Sequence, residues 1–171
     1  AALGVMAALN EKHATGEGSH IDLSLLEGLM GLLGYLAEIY LVTGESPGRM
    51  GNSHHNIVPY GLMPVKDGHI VLALHVGEFW RKFCRAIERN DLIGDERFRT
   101  VKDRYKNRDE LERQIIEIML TKTAAEWQAI LDAADVPHAP VNDMGQAVNQ
   151  AIVRERGFVK EVNHPTAGKV R

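Results

Sequence analysis

A single cysteine, Cys84, stands among 171 residues, so no internal disulfide can form and a bridged framework is excluded. It falls in Phe79-Trp80-Arg81-Lys82-Phe83-Cys84, on the apolar side of an expected helix with no activating partner beside it, and reads as a small buried hydrophobe. Aromatic residues are scarce at 6%, and there is no excess of positive charge: the formal net charge is −3 and the pI about 6.3. A nucleic-acid partner held through a basic surface is therefore not expected. No basic stretch precedes the apolar N-terminus, so a secretory leader is not expected and a cytoplasmic location is. Long apolar runs are also few. The one candidate, Leu25 to Val42, has about the length of a bilayer span but carries Glu27 and Glu38, whose burial in hydrocarbon would be costly. A buried helix of a soluble protein is the expectation there, and no membrane association.

The 44% hydrophobic and 25% charged residues suffice for an ordinary globular core. Ala1 to His13 has helical phase through Leu3, Met6 and Leu9, and Gly16 is placed for a left-handed cap. That helix has no capping residue at its start, and the chain stops at Arg171 soon after a turn, so a fragment cut at both ends is expected. Gly16 to Ser19 reads as a turn, and His20 to Ser24 alternates like a short strand. Ser24 and Glu27 have capping-box spacing, opening an apolar helix to about Thr43 in which Gly28, Gly31 and Gly34 form a smooth stripe for a close neighbour. Leu62 to Lys66 and His69 to His75 flank Lys66-Asp67-Gly68, a hairpin signal. A helix over Glu78–Arg89 follows, then charged short-range structure over Asp91–Arg104. Asn107 to Glu110 opens a helix with Leu111, Ile115 and Met119 facing inward. Thr123 and Glu126 form a second capping box, ahead of Trp127, Ile130 and Leu131. Two prolines keep Val136–Val141 extended. A short helix from Asn142 to about Glu155, a strand over Phe158–Val162 and a turn over His164–Gly168 complete the chain. The fold class expected is α/β. Residues 1–45 form the tail of a large α/β domain, 46–60 a linker and active-site loop, and 61–171 a small α+β domain with a short antiparallel sheet, truncated at its C-terminal end.

Candidate chemistry concentrates in Arg49 to Tyr60, a polar loop holding Gly51, Asn52, Ser53, His54, His55 and Asn56 between apolar elements. Its two histidines, with His13, His20, His69 and His75, raise a metal centre, but no pair has i,i+4 spacing on an expected helix and no Cys or Glu stands at ligand spacing. No metal is expected. Glu27 as a general acid or base is accounted for by its capping-box position. There is no Gly-x-Ser-x-Gly, no Walker loop and no Gly-x-Gly-x-x-Gly after a strand, and Gly16-Glu17-Gly18 is a plain turn. The run from Arg97 to Arg108 is diluted by Asp103 and preceded by Asp95 and Glu96, so a solvated face is expected of it.

Taken together, Lys12 to Glu27, Pro47 to Tyr60 and Lys66 to Val71 resemble the helix–turn–strand–helix signature, linker and first small-domain hairpin of the family III CoA-transferases. Asp95 to Phe98, Asn107-Arg108, Glu126-Trp127 and Val136 to Val141 continue the match in order. That family groups formyl-CoA and carnitine CoA-transferases with the α-methylacyl-CoA racemases. The resemblance implies the C-terminal piece of a Rossmann-like large domain followed by the small domain. It also implies CoA transfer from an acyl-CoA to a small carboxylic acid, in which an enzyme aspartate attacks the thioester and anhydride and aspartyl-CoA intermediates follow. The nucleophile and the CoA-binding residues would lie upstream of Ala1, leaving no catalytic residue within the chain and the fragment inactive alone. Coenzyme A thioester would be a substrate, with no tightly bound cofactor, and an intertwined homodimer would be the assembly. In the loop, Ser53 to Asn56 replaces the glycine run of the formyl-CoA enzyme, which implies a different acid. The racemase, a non-catalytic binding domain and a metal-dependent hydrolase are the alternatives.

Overall fold

In the computed structural model, which describes residues 1–170, the chain divides into two compact units, Ala1–Arg49 and Met50–Arg171. The first holds helix α1 (Ala2–Thr15), α2 (Leu25–Leu32) and α3 (Tyr35–Thr43). Gly16 ends α1 at φ 80°, where its N–H reaches Lys12 O, as its position predicts. Among the described residues the segment over 20–24 takes no regular secondary structure and pairs with no strand, so the strand expected there does not form: alternation supplies the face, while a ladder needs a partner edge. Ser24 caps α2 by accepting from Glu27 N at 3.3 Å. The single helix expected to Thr43 is two, bent by 84° where Gly34 adopts φ 51°. A residue at positive φ and ψ −128°, open to glycine, ends one helical ladder and redirects the next, so the chain turns at the last glycine of the stripe. No single described helix is long and apolar enough to cross a membrane. Within this chain these helices are not buried: Leu25 is 89% and Val42 84% exposed.

The second unit begins with the hairpin β1 (Tyr60–Val65) and β2 (Gly68–Ala73), turned over Lys66-Asp67 with Val65 opposite Gly68. Strand β3 (His138–Pro140) adds antiparallel to β2, giving the order β1-β2-β3, with both proline-bearing strands, β1 (Pro64) and β3 (Pro140), at edges where a missing N–H is tolerated. Helices α4 (Gly77–Ala86), α5 (Asp91–Gly94), α6 (Val101–Lys106), α7 (Arg108–Met119) and α8 (Ala124–Ala133) pack with this sheet around one core. Met63, Ile70, Leu72 and Leu74 meet Trp80, Phe83, Leu111, Ile115, Met119, Trp127 and Leu131 there. Each such side chain contributes about 1.5–3 kcal/mol by leaving water. Cys84 is fully buried with them, and burial pushes its thiol up to about 12, which keeps it an unreactive hydrophobe.

Caps set the helix starts. Thr100 with Asp103 and Thr123 with Glu126 form complete capping boxes, and Asp67 in the hairpin turn accepts from Ala124 N at 2.7 Å. Trp127 Nε1 donates to Met119 O at 2.7 Å, closing the polar end of a buried indole. Beyond β3 the single expected helix is again two, α9 (Met144–Val148) and α10 (Ala151–Glu155). Asp143, not Asn142, is the cap and boxes with Gln146; Asn149 and Gln150 break the ladder between the two helices. The strand expected at Phe158 starts only at Val162: β4 (Val162–His164) pairs with β5 (Gly168–Val170) across the expected turn. There His164 Nδ1 accepts from Thr166 N and Ala167 N.

Candidate functional site

The loop from Met50 to β1 is built by glycine geometry first. Ser53 N donates to Met50 O across a turn whose first central residue, Gly51, has φ 59°. The loop then folds back on the start of β1: Ser53 bridges to Gly61, and His54 N donates to Tyr60 O at 2.9 Å. Gly61 has φ 140°, and a Cβ there would stand 2.3 Å from Asn52 O, so only glycine fits beneath the loop. The sequence reading did not single out Gly61.

His54 closes the inner turn. Its Nδ1 accepts from Asn56 N at 3.1 Å and Ile57 N at 3.2 Å, so the neutral ring carries its proton on Nε2. Burial, the His55 imidazole and the Arg108 guanidinium, in that order, hold its pKa below the ordinary histidine value. Its ring lies 5.0 Å from Tyr60, tilted by 58°. Of the six loop candidates, Ser53, His54 and His55 are half-buried, while Gly51, Asn52 and Asn56 are exposed. Past them Val58, joined to Pro59 by a cis peptide, is fully buried and anchors the loop in the core.

Two arginines hold this loop from the helical side, and both come from the run expected to be a solvated face. Arg104 is 1% exposed. Its Nε donates to Val58 O at 2.8 Å and its Nη1 to Phe98 O at 3.1 Å, with the guanidinium 5.0 Å over the Trp80 ring. Charge-assisted bonds of this kind contribute about 1.5–3 kcal/mol each, and they offset a burial that pulls the Arg104 pKa down. Arg108 Nη2 donates to both His54 O and His55 O, its Nη1 reaches Met50 Sδ, and its plane lies 5.4 Å from the Tyr105 ring. Glu112 Oε1 stands 3.9 Å from Arg108 Nε, and burial pushes the Glu112 carboxyl up against the pull of that guanidinium. A signal for both arginines lay in the phase: Arg104, Arg108, Leu111 and Ile115 recur at four-, three- and four-residue spacing, continuing the inward stripe of α7. What remains solvated in that run is its first part, where Arg97 pairs with Asp95 and Glu110.

A cleft of about 550 Å³ opens beside the loop, lined by Met50, Tyr105, Asn107, Arg108 and Arg113. A larger hollow of about 1080 Å³ lies around Val148, Val153, Phe158 and Lys160 and contains no residue of the loop; the smaller cleft touches the loop through Met50, and none of residues 51–56 lines either. Among the described residues no three His, Cys, Asp or Glu side chains gather at a common point for a metal ion. What the loop offers is hydrogen bonding, from backbone amides, an imidazole with a set tautomer, and amide and hydroxyl side chains.

The model of CoA-transferase family III matches residues 1–171. Succinyl-CoA:glutarate CoA-transferase of Mus musculus is 31% identical over 166 residues, covering 97% of this chain and 38% of that protein. Succinyl-CoA:mesaconate CoA-transferase of Haloarcula marismortui is 32% identical over 168 residues, with 97% and 41% covered. A solved structure of a CAIB/BAIF family protein from Brucella suis superposes with a TM-score of 0.74 at 31% identity, over 94% of this chain and 42% of that one. The chain thus spans about two-fifths of the length of these relatives. Its helices and short antiparallel sheets are those of the C-terminal part of the CaiB/BaiF fold. With the family model covering every residue, from the first helix through the arginine-held loop to the last hairpin, the chain belongs to CoA-transferase family III.

Proposed function

We propose that the whole protein moves CoA from an acyl-CoA to a carboxylic acid, and that residues 51–56 form the acid-facing wall of its site. The family match over the full chain carries this reading. The named relatives act with succinyl-CoA and a second dicarboxylic acid, glutarate or mesaconate, so a short dicarboxylate is the acceptor class proposed here. Two features favour the loop as a binding wall: its backbone is fixed by Arg104, Arg108 and Gly61, and it presents Asn52, Ser53, His54 and Asn56, which hold donors and acceptors but no carboxylate of the kind the proposed reaction uses to attack.

In the proposed reaction an aspartate supplied by residues outside this chain attacks the thioester carbonyl and expels CoA as the thiolate. The thiolate then attacks the aspartyl carbonyl of the anhydride, releasing the first acid and leaving an aspartyl-CoA thioester. The acceptor carboxylate repeats the two steps in the opposite sense, and the aspartate is restored. The loop's part is to hold the free acid for that attack. A homodimer in the cytoplasm is the setting proposed.

The test is transfer itself. Incubated with succinyl-CoA and glutarate or mesaconate, the whole protein should form the new CoA thioester, detected by mass, and the 171-residue chain alone should form none. Epimerisation of a 2-methylacyl-CoA without transfer by the whole protein, or turnover by the short chain, would contradict the proposal.

A further inference from the structure

Loop residues alone do not set the loop's shape; Arg108, which lies 54 and 53 positions from the carbonyls it holds, shares in setting it. Arg108 sits at the first residue of α7, next to Asn107, whose side-chain Nδ2 donates to Arg97 O and Asp103 O, each at 3.0 Å. From that rigid base one guanidinium nitrogen donates to two successive carbonyls, His54 O and His55 O. Successive carbonyls in an extended chain point apart. Drawing two to one donor curves the backbone there, and the same curve brings Asn56 N and Ile57 N onto His54 Nδ1. The bond from Arg104 to Val58 O pins the far end of the curve in the core. Tyr105 beneath the guanidinium and Glu112 beside it limit its freedom, so the fork is pre-organised.

We propose that Arg108 is a positioning residue for the acceptor acid: by holding the His54 and His55 carbonyls it fixes the loop that receives the free carboxylic acid. This rests on the reading of the loop as the acid-facing wall. The acceptor acid has no CoA moiety to anchor it and depends on the loop more than the acyl-CoA donor does, so loss of the fork weighs on one substrate more than the other.

The experiment compares Arg108→Met and Arg108→Lys with the unsubstituted whole protein in steady-state transfer and in amide exchange of the 51–60 segment. Arg108→Met should raise the acceptor KM about tenfold or more while the donor KM shifts by less than about twofold, with faster exchange over 51–60 and unchanged exchange over α8. Arg108→Lys keeps the charge but loses the planar guanidinium, so it should recover only part of the loop's protection and of the acceptor KM. Equal changes in both KM values, or faster loop exchange with an unchanged acceptor KM, would overturn the proposal. Failure of the unsubstituted protein to transfer CoA would sink the functional reading with it; transfer with an indifferent Arg108 would sink this inference alone.

Discussion

At His54, geometry and electrostatics act on the same atom. Nδ1 accepts from two backbone amides, and a proton placed there would turn an acceptor into a donor facing donors. Burial, His55 and Arg108 hold the folded-state pKa below the ordinary value near 6.5. As pH falls, the unfolded chain therefore takes up its proton first, so the stabilisation is complete above about pH 6.5 and is lost as pH drops from there through the lower folded-state value. His54→Asn, which keeps an acceptor without a titrating ring, should lose less stability than the natural chain between neutral and mildly acidic pH. Urea unfolding of both proteins on either side of about pH 6.5 checks this; parallel losses would show that His54 does not carry the dependence. Arg104 makes a different point. Its burial could not be read from its neighbours, because the acceptor that justifies it, Val58 O, lies 46 positions away and belongs to a loop. The charged letters on either side looked like a solvated face, and for Arg97 they are one.

Elements defined by local chemistry were legible. The Thr123–Glu126 capping box, the Leu111-Ile115-Met119 stripe, the Lys66-Asp67 turn and the left-handed Gly16 all rest on contacts within a few residues, and all form as the spacing implies. Those that depend on a distant partner or on one break in a ladder were not. The alternation at 20–24 lacked a strand to pair with, Gly34 divided the apolar helix, and Asn149-Gln150 divided the helix before β4. Asp67 joins the two kinds: it is a turn residue locally and a cap for α8 at a distance of 57 positions. Asp67→Ala should therefore cost about 1 kcal/mol, the usual range for a lost helix cap, although the substituted side chain is on the surface. Denaturant midpoints compared with a neutral change at Lys66 would show it; no difference would mean that Thr123 alone satisfies the start of α8.

For the whole molecule, the two units differ in what they bury. Met50–Arg171 contains the core, the sheet and the arginine-held loop, whereas Ala1–Arg49 contributes apolar helices with Leu3, Leu25, Leu32 and Leu41 exposed. The chain accounts for about two-fifths of its relatives' length, and in the proposed reaction the attacking carboxylate comes from residues outside it, so the proposed wall needs no carboxylate of its own. The candidate loop was legible as a concentration of Gly, Asn and His between apolar elements. Its support was not, because Gly61, Arg104 and Arg108 act through a backbone path that only the folded chain defines. The measurement that bears most directly on the central claim is the acceptor profile of the whole protein with His54→Ala and Asn56→Ala, assayed with one acyl-CoA donor and a series of dicarboxylic acids. The acid-facing wall predicts that acceptor KM values rise by about tenfold or more, or change order among the acids, while the donor KM stays within about twofold. An acceptor profile identical to that of the unsubstituted protein, with transfer intact, would contradict it.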